Sequence, residues 1–266
     1  MVRSAAVHWV CAVTVLAGSA CGFSVSGSAP SDGALDDDAS ADANADAAID
    51  AGVDAAIDAP VDAPVIPFCD STDATLIGCW EFEGTANNAS GVGLSVTATG
   101  LTFVAGKTGM AGRFVDSTSM TAAENAALAT MSFTIEAWVR LGALPAAGGR
   151  MAILDNDGEY GLFVHDSTVQ CNGLTATVTL ATNTWTHLAC TIDAATTTGR
   201  LYIDGTERAT ASVTVGIAAA PGLAIGANSG GGVVSDLIGD LDQLRLFGAA
   251  RTAAQVCAAA GKTACP

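Results

Sequence analysis

The chain has 266 residues, of which 50% are hydrophobic and 5% aromatic, with 27 Asp and Glu against 10 Lys and Arg and a net charge of −17. With no basic run and no interleaving of basic and aromatic residues, this balance excludes a nucleic-acid surface, which depends on neutralising phosphates. Four Trp, two Tyr and eight Phe also leave few aromatic side chains to spare once a core is built.

Residues 1–20 read as an export signal: Arg3 precedes an apolar stretch from about Ala5 to Ala17, then small residues lead to Cys21. The apolar stretch is too short to span a bilayer comfortably. The segment resembles a bacterial lipoprotein signal, which would make Cys21 the lipidated first residue and anchor the protein in the outer membrane. It departs from that pattern at Gly18, where Leu is expected. Gly18, Ser19 and Ala20 equally suit an ordinary signal peptidase, which would leave Cys21 a plain thiol.

Residues 22–68 carry 10 acidic and no basic side chains, with an Asp at every fourth position from Asp38 through Asp42, Asp46, Asp50, Asp54 and Asp58 to Asp62. On a helix each neighbouring pair would be a like-charge i,i+4 contact. Gly52, Pro60 and Pro64 also oppose a helix, and the apolar content is too low to offset the entropy of ordering. The stretch is expected to be a disordered acidic linker with an r.m.s. reach of roughly 35–40 Å.

With Cys11 and Cys21 set aside, Cys69, Cys79, Cys171, Cys190, Cys257 and Cys265 suit three disulfides in an oxidising compartment. Pairing by neighbourhood gives Cys69 with Cys79, Cys171 with Cys190, and Cys257 with Cys265. Alternatively, the terminal four cross-link the two ends of the domain. Zinc is disfavoured, because there is no CxxC pair and only His165 and His187 remain after the signal.

From residue 69 to 266 the pattern is all-β, as short apolar runs separated by Gly, Asn, Asp and Thr. Period-2 strands are predicted in TLIGCWEF (75–82), GLSVTATGLTFV (93–104), SFTIEAWVRL (132–141), YGLFVHD (160–166), GLTATVTL (173–180), TWTHLACTID (184–193), GRLYIDG (199–205) and LIGDLDQLRLF (237–247). Asp-Gly pairs in DNDGEY (155–160) and YIDGTE (202–207) mark tight hairpins. A short C-terminal helix is predicted from Thr252, its N-cap, to Gly261. Trp80, Phe82, Trp138 and Trp185 alternate with small or polar neighbours and are assigned to the core, His187 to a structural role, and Tyr160 to a partly exposed position after a turn. The nearest approach to a glycosidase carboxylate pair is Glu81 and Glu83, two apart on one face of a strand. No nucleophile motif or phosphate loop accompanies it.

The order of LIGCWEFEG, GKTGMAGRF, FTIEAWV, TWTHLACTID, LYIDG, AIGAN and IGDLDQLRLF resembles the concanavalin A-like superfamily, in particular bacterial laminin G-like domains, over about residues 75–260. The resemblance implies a two-sheet antiparallel jelly-roll sandwich, with first and last strands close together, that works as a binding or adhesive module. It also implies calcium, since such domains often hold the ion near the hairpin that here carries Asp155, Asn156, Asp157 and Glu159; carboxylates, amides and carbonyls are the oxygen ligands it needs. A second candidate cluster joins Glu83 to Asp240 and Asp242 on strands the resemblance brings together. FVDST (114–118) and NNASG (87–91) depart from the family pattern.

The sequence thus predicts an exported, lipid-anchored, non-catalytic binding module at the outer membrane or cell surface, or in the periplasm or medium if unlipidated. Its ligand would be a surface glycan or a protein, with calcium assisting. A jelly-roll glycoside hydrolase or lyase and a purely architectural protein are the alternatives.

Overall fold

A computed structural model describes residues 67–217, 222–229 and 234–266. The export signal, Cys21 and the Asp-rich linker up to residue 66 lie outside the described residues. Those described form a two-sheet antiparallel sandwich with one short helix. None of their helices is long and apolar enough to cross a membrane.

One sheet, sheet A, runs in the order β13(Thr206–Ser212), β12(Thr198–Ile203), β11(Trp185–Asp193), β6(Phe133–Leu141), β16(Gly239–Phe247), β4(Met110–Phe114), β3(Thr102–Ala105). In it β1(Leu76–Trp80) also pairs with β16. The other, sheet B, runs β10(Leu174–Ala176), β9(Thr168–Cys171), β8(Tyr160–His165), β7(Arg150–Asn156), β14(Leu223–Ile225), β5(Ser119–Ala122), β2(Thr97–Thr99). The short β15(Val234–Ser235) adds to β7 in parallel. The first and last strands are neighbours, as the resemblance implies.

Strand alternation sorts the side chains. On β6, Phe133, Ile135, Ala137, Val139 and Leu141 enter the core, where they meet Leu162, Val164 and Val169 of sheet B. Each fully buried aliphatic or Phe side chain stabilises the fold by about 1.5–3 kcal/mol relative to its exposed state. Cys171 on β9 and Cys190 on β11 are joined across the core, linking the two sheets. A link closing a loop of this length is worth about 3 kcal/mol in the chain-entropy account. Cys69–Cys79 and Cys257–Cys265 also pair as neighbours, so the ends of the domain are not cross-linked to each other.

The outer face of sheet A buries charge. Glu136 on β6 is 1% exposed and is ion-paired to Arg245 on β16 at 2.6 Å, with Arg251 at 3.9 Å. The Arg245 guanidinium stacks on Phe68 and that of Arg251 on Phe247, at 4.2 and 4.3 Å from the ring centroids. Helix α1(Ala253–Ala259) covers the neighbouring strands by packing Val256 on Ala189 and Tyr202. Thr252 and Gln255 close a capping box at its start, so the expected N-cap is in place. Breaking the Glu136–Arg245 pair from one side leaves a buried charge and costs about 3–5 kcal/mol.

Three local expectations change. Trp138 and Trp185 lie on the outer face of sheet A rather than between the sheets: Trp138 pairs with Asp242 and His187, and Trp185 with Arg140. Tyr160 is buried and donates its hydroxyl to the Leu128 carbonyl at 3.0 Å, because its alternate position on β8 points inward. The YIDGTE turn has positive φ at both Asp204 and Gly205, as a two-residue hairpin requires. The DNDGEY connection is longer, with positive φ at Gly158 alone and the Glu159 N–H donated to the Asn156 carbonyl.

His187 is buried beside the Trp138 ring, 5.3 Å between centroids. Burial, reinforced by Arg245, pulls its pKa from 6.5 to about 3. The unfolded chain therefore takes up a proton that the fold refuses. The stability contributed by a neutral His187 is complete above pH 6.5 and lost as pH falls toward about 3. We expect the unfolding free-energy difference between wild type and His187→Gln, measured by urea denaturation, to change against wild type by about 1.4 kcal/mol per pH unit across that window. A difference independent of pH would contradict the assignment.

Candidate functional site

The candidate site is on the outer face of sheet B. Because Tyr160, Leu162 and Val164 of β8 point into the core, Gly161, Phe163 and His165 point out. Register aligns Ala152, Phe163, Gln170 and Thr175 in one row across β7, β8, β9 and β10. The adjoining row is Ala224, Asp155 and Gly161. A depression opens beside Gly161, and its larger neighbours form the walls. The result is a cleft of about 370 Å³ with Arg150, Asp155, Phe163, Gln170, Asn172 and Thr175 in its lining.

Phe163 is a wall rather than an open platform. Its ring lies against Gly161, where a Cβ would come within 2.5 Å of the ring carbons, and the Arg150 guanidinium lies over the ring at 4.1 Å from its centroid. Glycine at 161 is thus required by close approach. The cleft therefore offers mainly hydrogen-bonding groups.

Asp155, Asp157 and Glu159 all line the cleft, but their surroundings differ. The buried Asp155 carboxylate accepts from the Ser229 N–H at 3.0 Å and its hydroxyl at 3.4 Å. Burial raises its pKa; the Ser229 hydrogen bonds oppose that rise and the Asp157 charge adds to it. Asp157 is exposed and donates its backbone N–H to Ser229 Oγ at 2.8 Å. Glu159 is buried, with Oε2 accepting from Asn156 Nδ2 at 3.0 Å. Asn156 Oδ1 is buried with no hydrogen-bond partner among the described residues, an acceptor left over beside the cleft. Asn172 fixes the far wall by accepting from the Gly161 N–H and donating to the Glu159 carbonyl.

The second acidic cluster has another architecture. Asp242 Oδ2 accepts from the N–H groups of Lys107 and Thr108 at 2.7 and 3.0 Å, and both oxygens of Glu83 accept from Met110 N–H at 3.1 Å. Together they hold the turn from Gly106 to Gly109 that joins β3 to β4, which is the GKTG of the sequence pattern. Burial raises the pKa of Asp242, and the nearby Glu83 charge adds to that. Asp240 is engaged separately, by Arg113 and Arg140, each with Nε at 2.8 Å. Among the described residues, no three His, Cys, Asp or Glu side chains are grouped as a metal site requires. Glu81 and Glu83 are not strand neighbours on one face: β1 ends at Trp80 and Phe82 takes a φ of 60°.

The sequence pointed to the acidic hairpin but missed Arg150, Phe163, Gln170, Asn172 and Ser229. The available signal was Gly161 inside a predicted strand, a position that often marks close approach by a ring, backbone or ligand. Ser229 lies 74 residues from Asp155 along the chain and carries no motif.

Comparison with known proteins supports the same architecture. The family model described as concanavalin A-like lectin/glucanases superfamily, of laminin G type, matches residues 115–257. No curated protein matches the chain in sequence. Among solved structures, it resembles the binding domain of Paraclostridial Mosquitocidal Protein 1 with a TM-score of 0.58 at 16% identity, covering 70% of this chain and 52% of that one. Domain 4 of an extracellular arabinanase from Geobacillus stearothermophilus, solved with arabinotriose, gives a TM-score of 0.56 at 18% identity, covering 70% and 98%. A structure of botulinum neurotoxin type C, whose cell entry depends on two ganglioside molecules, gives 0.56 at 12% identity, covering 70% and 51%. The chain thus spans about half the length of the toxin chains and nearly all of the arabinanase domain, and likenesses at these identities concern the fold. With the paired sheets, the neighbouring first and last strands and a family match over more than half of its length, the chain belongs to the concanavalin A-like lectin/glucanases superfamily.

Proposed function

We propose that the protein is a non-catalytic binding module that takes a neutral glycan into the cleft on the outer face of sheet B. The observation that carries this reading is the cleft's lining: a depression of about 370 Å³ where Asp155, Gln170, Asn172, Thr175 and Arg150 offer donors and acceptors around a fixed Phe163 wall. Sugar hydroxyls both donate and accept, so this mixture suits them. Three carboxylates against Arg150 disfavour an anionic ligand at this place. The arabinanase domain solved with a bound oligosaccharide and the ganglioside-dependent toxin lend support by fold. The three disulfides suit an oxidising compartment. In this reading the signal exports the protein, Cys21 anchors it by a lipid, and the acidic linker holds the domain away from the membrane to meet surface ligands.

Binding of arabino-, galacto- and gluco-oligosaccharides by the full-length oxidised protein tests the proposal. We expect Asp155→Asn and Gln170→Ala each to weaken the best ligand by about 10-fold or more while the thermal midpoint moves little. Failure of the wild type to bind any member of the panel, or undiminished binding by both variants, would sink it.

In this reading recognition needs no calcium. Of the two acidic clusters, the one at the cleft is the better placed, since Asp157 is exposed while Asp240 and Asp242 are taken up by arginines and a turn. Transfer from EDTA to millimolar calcium is expected to leave the thermal midpoint within about a degree. A rise of several degrees abolished by Asp157→Asn would instead place the ion at the cleft and make it part of the site.

A further inference from the structure

A second surface of the domain has the opposite charge. On the outer face of sheet A, Arg113 on β4, Asp240 on β16, Arg140 on β6 and Trp185 on β11 are consecutive cross-strand partners. The Asp240 side chain is 5% exposed, and each of its oxygens takes the Nε of one arginine at 2.8 Å. One carboxylate thus serves two guanidinium groups, and this spot keeps a charge of about +1 in a strongly acidic chain.

The arginines are held, but they are not consumed. Arg140 Nη2 donates to the Ala105 carbonyl at 3.1 Å and its guanidinium stacks at 4.7 Å from the Trp185 ring, while Arg113 Nη2 makes a long 3.4 Å contact to Asp240. Among the described residues neither Nη1 has a hydrogen-bond partner. Both arginines line a cleft of about 470 Å³, within the usual range for small-molecule sites. Its remaining lining includes Asn183 and two apolar side chains, Ile238 and Val115, the latter 49% exposed.

We propose that this cleft binds the carboxylate of an acidic sugar, of the uronic acid class, between Arg113 and Arg140. A single negative charge matches the excess local charge, and the guanidinium pair is already oriented by Asp240, so little ordering remains to be done on binding. The ring of the sugar acid rests against Val115 and Ile238, and Asn183 takes its hydroxyls. This site is independent of the neutral-glycan cleft on sheet B, and either can fail without the other.

The experiment is calorimetric titration of the full-length oxidised protein with digalacturonate and with its neutral counterpart, digalactose, at low and at physiological salt. The acidic disaccharide is expected to bind about 10-fold more tightly at low salt, with the margin shrinking as salt screens the charges. Arg113→Gln should abolish the margin without unfolding the protein, since Arg140 still pairs Asp240. Arg200→Gln, which removes an equally charged side chain paired with Glu207 elsewhere on the sheet, should keep it. Equal binding of the two disaccharides, equal loss in both variants, full competition by acetate at matched concentration, or tighter binding of an acidic peptide would each overturn the proposal.

Discussion

Strand β16 is the constraint on which the rest of the sandwich depends. It pairs with β6 along most of its length, while its other edge is shared between β4 and β1. Sheet A therefore joins its halves only when the last strand of the chain takes its place between strands formed far earlier. The side chains on that strand then set the outer face of the sheet. Asp240 gathers two arginines, Asp242 holds the β3–β4 turn, and Arg245 neutralises the buried Glu136. A register slip of one residue would turn all three groups into the hydrophobic core.

Sheet B solves a different problem. Its inner face is as apolar as that of sheet A, yet its outer face carries small residues at Ala152, Gly161 and Ala224 and a cleft lined mainly by polar side chains beside Gly161. A depression edged by a guanidinium, a carboxylate and amides is costly to keep for stability alone, because Asp155 is desolvated there and Asn156 Oδ1 has no hydrogen-bond partner among the described residues. Tension between stability and polar burial is what a binding surface produces. The two sheets thus present clefts of opposite local charge, an acidic one with hydrogen-bonding groups on sheet B and a basic one on sheet A.

Much of the fold was legible because strand alternation and turn chemistry are local. FTIEAWVRL, TWTHLACTID and LIGDLDQLRLF contain β6, β11 and β16, and the TAAQ capping box marks the start of the helix. Short or irregular strands were harder to read. Arg150–Asn156 holds a continuous apolar run, Met151 to Leu154, that carries a bulge, and Thr206–Ser212 is an exposed edge with no buried face to give it a period. The acidic hairpin was visible, whereas its partners Ser229, Gln170 and Asn172 reach the same cleft only through sheet order, which no local pattern encodes. The same reason hid the outer-face placement of Trp138 and Trp185: alternation shows that two residues share a face, but not which face meets the other sheet.

In the proposed function a glycan occupies the outer face of sheet B. Amide-resolved NMR of the full-length oxidised protein, titrated with the tightest neutral oligosaccharide found, tests it most directly. Perturbations are expected to be confined to Arg150, Asp155, Phe163, Gln170, Asn172 and their neighbours, with the Arg113–Asp240–Arg140 row unchanged. Shifts concentrated instead on sheet A or at the β3–β4 turn, with β7 to β10 silent, would contradict it.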